Sequence, residues 1–191
     1  MEETLFDLFR KNKGYVQTKS FGRNRQLFNH LKDLVTSGKV EKIKPGLYRD
    51  VDFPQKEEWE EVALIVPKGI FCLFSAWQIH DLTTHISSIF HLAVPHKAKI
   101  ALPEYPPIKL YHWTEPYLET GVENKKGFHV YDKEKSVCDA IRFRNKVGLD
   151  ITAEVVKNYL KQKDRNLDKL LHYAKILKVE KQLNNYLTVL I

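Results

Sequence analysis

NRQLFNHLKDLVTS at residues 24–37 runs straight into GKVEKIKPGLYR at residues 38–49, and the two pieces carry different periodicities. In the first, Leu27, Phe28, Leu31, Leu34 and Val35 recur at the spacing of one helical stripe. A helix over 24–37 is predicted. Its opposite face carries Arg25, Gln26, Asn29, Lys32 and Thr36, side chains suited to base edges and to phosphate. In the second piece Val40 to Lys44 alternates, Pro45-Gly46 supplies a turn, and Leu47-Tyr48-Arg49 returns, so a short hairpin is predicted.

Upstream, Glu3 to Lys11 sets Leu5, Leu8 and Phe9 at helical spacing, with Glu2 and Glu3 at the positive end of the helix dipole. Gly14-Tyr15-Val16 breaks that helix, Thr18 is placed to cap a short one through Phe21, and Gly22 permits the turn that follows. Three helices and a basic hairpin read as a winged helix-turn-helix over 1–53, the third helix entering the groove and the wing straddling the backbone. Charge agrees with this order of elements. Arg10 to Arg49 holds eleven Lys/Arg against Asp33 and Glu41, an excess larger than the +7 of the whole chain. Localised positive charge is the footprint of phosphate neutralisation. The residues expected to contact DNA are Thr18, Lys19, Arg23, Asn24, Arg25, Gln26, Asn29, Lys32, Lys42, Lys44 and Arg49.

With 191 residues and 43% hydrophobic content the chain has enough apolar material for two small domains. Asp52-Phe53-Pro54 ends the hairpin, and Glu57, Glu58, Glu60 and Glu61 reverse the charge, so 54–61 reads as a linker that runs into an acidic helix start, ahead of a second domain over 62–191. That domain reads as mixed α/β, which makes the whole chain α+β. Leu64-Ile65-Val66 and Gly69-Ile70-Phe71 flank a Pro67-Lys68 turn, and Ser75 is placed to cap a helix through Asp81. Strands are predicted at 89–94, 108–113 and 128–131. A helical tail follows: Asp132 caps 133–145, Thr152 caps 153–161, Asn166 starts 167–177, and a last helix fills 180–190.

Cys72 and Cys138 lack metal-site or disulfide spacing, so a reducing compartment and no metal are expected. The first residues lack the features of a signal peptide, and no apolar run approaches membrane-spanning length. A cytoplasmic protein without a membrane partner is the expectation.

The order of short motifs resembles a known family. Gly14-Tyr15-Val16-Gln17-Thr18, the run from Leu34 to Ile43, and Pro45-Gly46-Leu47-Tyr48 look like the winged helix of AbiEi-like (abortive infection, type IV) antitoxins. The carboxy-terminal domain of that family is resembled by Ser75-Ala76 with His80-Asp81-Leu82, by Leu92-Ala93-Val94-Pro95, and by the run from Val130 to Asp139. Leu170 to Ala174, followed by Leu177-Lys178-Val179, looks like the closing helices. Within the Val130–Asp139 run, Lys133-Glu134-Lys135 stands where the family pattern usually reads Pro-Glu-Arg. The resemblance implies a phage-defence regulator that represses its own operon; because one winged helix covers too little surface to pick out a promoter, inverted repeats near that promoter are expected. It also implies that the protein counteracts a nucleotidyltransferase-like toxin, with no direct complex required. Ser75, His80, Asp81, Glu134, Lys135 and Asp139 are the residues it points to in the second domain. For Asp139 the plain alternative is a cap or a surface ion pair with Arg142 or Arg144.

Catalytic and RNA-binding readings compete. His80-Asp81, with His30 and Asp139, has the composition of a phosphohydrolase metal site but poor spacing. Glu123-Asn124-Lys125 has a nuclease-like spacing inside what reads as a charged turn. No phosphate-binding loop or nucleophile elbow occurs, so no enzyme and no cofactor are expected. Trp77, Tyr105, Tyr111, Trp113, Tyr117 and Phe128 would form a single-stranded RNA platform, aided by Lys97, Lys99 and Lys109, if they stood exposed together. Large aromatics at strand spacing are more often core.

Overall fold

Thr4 opens the first helix, α1 (Leu5–Lys11), with a capping box: its hydroxyl takes the Asp7 N–H while the Asp7 carboxylate takes the Thr4 N–H. The computed structural model describes residues 4–54, 56–125 and 127–190, the side chain of Leu190 excepted. Glu2 and Glu3, read as first-turn acids, lie outside the described residues, as does Gln55. The chain is α+β, with two sheets and eight α-helices among the described residues. It divides into two compact units, Met1–Ile65 with Ile100–Glu104, and Val66–Lys99 with Tyr105–Ile191.

In the first unit α1 is followed by β1 (Tyr15–Gln17), a 3-10 turn at Thr18–Phe21, α2 (Arg25–Thr36), β2 (Val40–Lys44), β3 (Leu47–Asp50) and α3 (Glu58–Ile65). Gly14-Tyr15-Val16, read as a helix break, also begins a strand that pairs antiparallel with β3, Tyr15 opposite Arg49. The sheet order is β1-β3-β2. Gly14 has φ +84°, and a Cβ there would sit 2.5 Å from Cβ of Phe53, so this turn requires glycine on both counts. Leu5, Leu8, Phe9, Val16, Phe21, Leu31, Leu34 and Val40 form the core. Phe28, placed on the apolar stripe by its spacing, is 42% exposed and meets Phe21 edge-on. Two boundaries differ from expectation. Gln17 rather than Thr18 precedes the 3-10 turn, and residues 58–61 of the expected linker are the first turn of α3.

The second unit holds β4 (Ile70–Phe71), α4 (Leu73–Ile79), β5 (Phe90–Pro95), β6 (Ile108–Trp113), β7 (Val122–Lys125), β8 (Phe128–Tyr131), α5 (Lys133–Val147), α6 (Leu149–Lys161), α7 (Leu167–Ile176) and α8 (Glu180–Leu190). Its five-stranded sheet runs β6-β5-β4-β8-β7, with β5–β6 and β4–β8 parallel and the other pairs antiparallel. Ala93, Trp113 and Tyr131 of the sheet join Val137, Cys138 and Ile141 of α5 in one core, which continues through Tyr159, Leu170, Ala174 and Leu183. Asp132 and Asn166 cap α5 and α7 as predicted. Ser75 and Thr152 do not cap. Cys72 and Gly148 take those positions, and both hydroxyl residues lie buried inside their helices. Among the described residues no helix is long and apolar enough to cross a membrane.

Candidate nucleic-acid interface

Asn24 starts α2 by accepting the backbone N–H groups of Gln26 and Leu27 at 3.0 and 3.3 Å. Its carboxamide is therefore engaged with the helix end rather than held out as a base reader. The next residues are free of such duties. Arg25, Gln26, Asn29 and Lys32 are all exposed, and among the described residues none is in an ion pair. At about 100° per residue they share one side of the helix, opposite the buried Leu31 and Leu34. Asp33 is exposed as well and belongs to the same side, so a carboxylate interrupts the positive face. Lys19 and Arg23, before the helix, are exposed, and Thr18 is half-buried with its N–H on the Gly46 carbonyl.

The hairpin treats its three cations differently. Lys42 is exposed. Lys44, beyond an irregularity in the β2–β3 register, donates its ammonium to the Ile65 carbonyl at 2.6 Å. That carbonyl ends α3, where the helix dipole is negative. Burial, then the charge of Lys19, lowers the Lys44 pKa. Arg49 also turns inward. It pairs with Glu41 at 2.6 Å and approaches Glu61 at 3.8 Å. Glu61 in turn accepts the Tyr15 hydroxyl at 2.5 Å, and burial together with this bond raises the tyrosine pKa to about 12. Burial opposes the Arg49 charge, but Glu41 and the Tyr15–Glu61 pair outweigh it. Lys44 and Arg49, expected to straddle a nucleic-acid backbone, are thus anchors that tie the hairpin to α3. Glu61, from the acidic run at 57–61, reaches Arg49, whereas Lys44 ends on a backbone carbonyl that no charge pattern announces.

In the second unit the structure brings only some of the expected residues together. Ser75 accepts the His91 N–H and so joins α4 to β5. His80 sets Nε2 2.7 Å from the Tyr131 carbonyl, which makes that nitrogen the donor; burial lowers its pKa. Glu134 accepts the Tyr159 hydroxyl at 2.9 Å and faces Lys169 at 3.4 Å. His80 and Glu134 line one polar cleft of 420 Å³ with Glu123, Lys125, Lys133 and Lys169. Asp81 is exposed in a left-handed backbone conformation. Lys135 and Asp139 lie elsewhere, in the interior. Their side chains are 0% and 1% exposed and meet at 2.5 Å, with Lys135 also over the Trp113 and Tyr131 rings at 4.6 and 4.3 Å. The expectation that Asp139 would make a surface pair with Arg142 or Arg144 is overturned: its ion partner is Lys135, one helical turn away, and burial raises its pKa against the pull of that lysine.

The alternative chemistries do not assemble. Among the described residues no group of three or more potential metal ligands comes together. Glu123 to Lys125 is strand rather than turn. Trp77, Trp113 and Phe128 are core, and only Tyr105 of the aromatic set is widely exposed, at 72%. Among the described residues that set therefore offers no stacking platform. No family model matches the chain, and no characterised protein in the comparison matches it.

Proposed function

We propose that the chain is a winged helix-turn-helix repressor that binds duplex DNA through α2 and the β2–β3 hairpin, and that it serves as the antitoxin of a type IV toxin–antitoxin pair. The observation that carries the DNA-binding half is the side of α2 on which Arg25, Gln26, Asn29 and Lys32 stand exposed, without ion partners among the described residues, directly ahead of a basic hairpin. A helix of this kind fits the major groove, where Arg reads guanine and Asn reads adenine. The antitoxin half rests on the motif resemblance alone. In this reading the protein acts in the cytoplasm, at inverted repeats near its own promoter. It counteracts a nucleotidyltransferase-like toxin and carries no cofactor.

The burial pattern divides the hairpin for the test. Arg25→Ala with Asn29→Ala should weaken binding to the gene's own upstream duplex by about 1–3 kcal/mol per base contact and relax sequence preference. Lys42→Ala should weaken all duplexes alike and reduce the salt slope by about one. Lys44→Ala should instead lower stability and leave the salt slope alone. Mobility shifts over a salt series, beside urea unfolding, read these effects. Unchanged affinity in the Arg25/Asn29 double variant would remove the assignment.

A further inference from the structure

Edge strand β6 and the second half of α5 enclose a cleft of 620 Å³ in the second unit. Lys109, Arg142 and Lys146 line it, together with Tyr111, Trp113 and Phe143, and no carboxylate does. Each cation is held by an aromatic ring: Lys109 over Tyr111 at 5.7 Å, Lys146 over Phe143 at 5.7 Å, and the Arg142 guanidinium over Tyr117 at 3.8 Å and Trp113 at 5.2 Å. Ring contacts fix a cation in place without neutralising it. Arg142 acts on the carboxylate of Asp139, and that group is already paired with Lys135. Arg142 Nη1 is buried and has no hydrogen-bond partner among the described residues. A buried guanidinium N–H left unmade is costly unless something else repays it.

We infer that this cleft binds the polyphosphate group of a free nucleotide. Three gathered positive charges call for more than one negative charge, which a single carboxylate does not supply. Phosphate oxygens also match the planar donors of arginine. The cleft belongs to the second unit, and the inference is independent of the DNA-binding reading given above.

The test uses the full chain. Isothermal titration with inorganic tripolyphosphate should give one site. Lys109→Gln with Lys146→Gln, both exposed positions, should weaken it at least tenfold without changing the melting temperature. Arg142→Gln should do the same where it folds, and the exposed double variant carries the test where it does not. Arg25→Ala with Asn29→Ala should leave the site intact. ATP should bind more tightly than oligouridylate, whose phosphates are single diesters, and the reverse order overturns the inference. Absence of tripolyphosphate binding at millimolar concentration, or binding indifferent to the Lys109/Lys146 change, overturns the inference.

Discussion

Lys135 and Asp139 show how far a residue's role depends on burial. Removing one member of an enclosed pair strands the other charge, at a cost of about 3–5 kcal/mol, whereas replacing both by apolar groups is often neutral. Asp139→Ala should therefore unfold much of the second unit, and Lys135→Met with Asp139→Leu should recover most of the loss; denaturant midpoints of the three proteins decide it. His91 supplies a pH effect. Burial, then Lys109, lowers its pKa from 6.5 to about 4. Between those values the unfolded chain binds a proton that the folded chain refuses, so stability is full above pH 6.5 and falls as pH drops toward 4. The drop is about 2 kcal/mol once discounted for the part of the ring near solvent. His91→Gln should start less stable at pH 7.5, since the ring stacks on Tyr111, and lose less on acidification. Equal slopes for both proteins would show that another group governs the acid limb.

Elements with their own local signal were legible. The Pro45-Gly46 turn, strands β6 and β8, and the caps at Asp132 and Asn166 all rest on neighbours within a few residues. Elements that exist only by distant pairing were not. β1 is three residues long and is made a strand by β3, some thirty residues on. β7, at the sheet edge, is mostly exposed and shows no alternation that a reader could follow. The same division holds at the interface. The exposed side of α2 follows from helical spacing, but the inward turn of Lys44 and Arg49 depends on α3, which the charge reversal had marked as linker. Tyr15→Phe measures that long-range tie. It removes one buried hydrogen bond to Glu61 and should cost about 1–2 kcal/mol in urea unfolding of the first unit. A change below 0.3 kcal/mol would mean that Arg49 alone holds Glu61.

For the molecule as a whole, the proposed division of labour predicts separable defects. In cells that carry the cognate toxin, Arg25→Ala with Asn29→Ala should abolish repression yet still relieve growth arrest when expressed from a foreign promoter. Loss of both activities together would join the two roles in one surface. Any such experiment meets a feature of the chain path, for Ile100–Glu104 belongs to the first unit although its flanks belong to the second. The consequence is one of timing at the ribosome. When Ile65 has been polymerised the first unit still lacks its last piece. At about 5–20 residues per second that piece follows only after roughly 2–8 seconds. The whole of the first unit is therefore polymerised only after β4 and β5 of the second unit's sheet have been made.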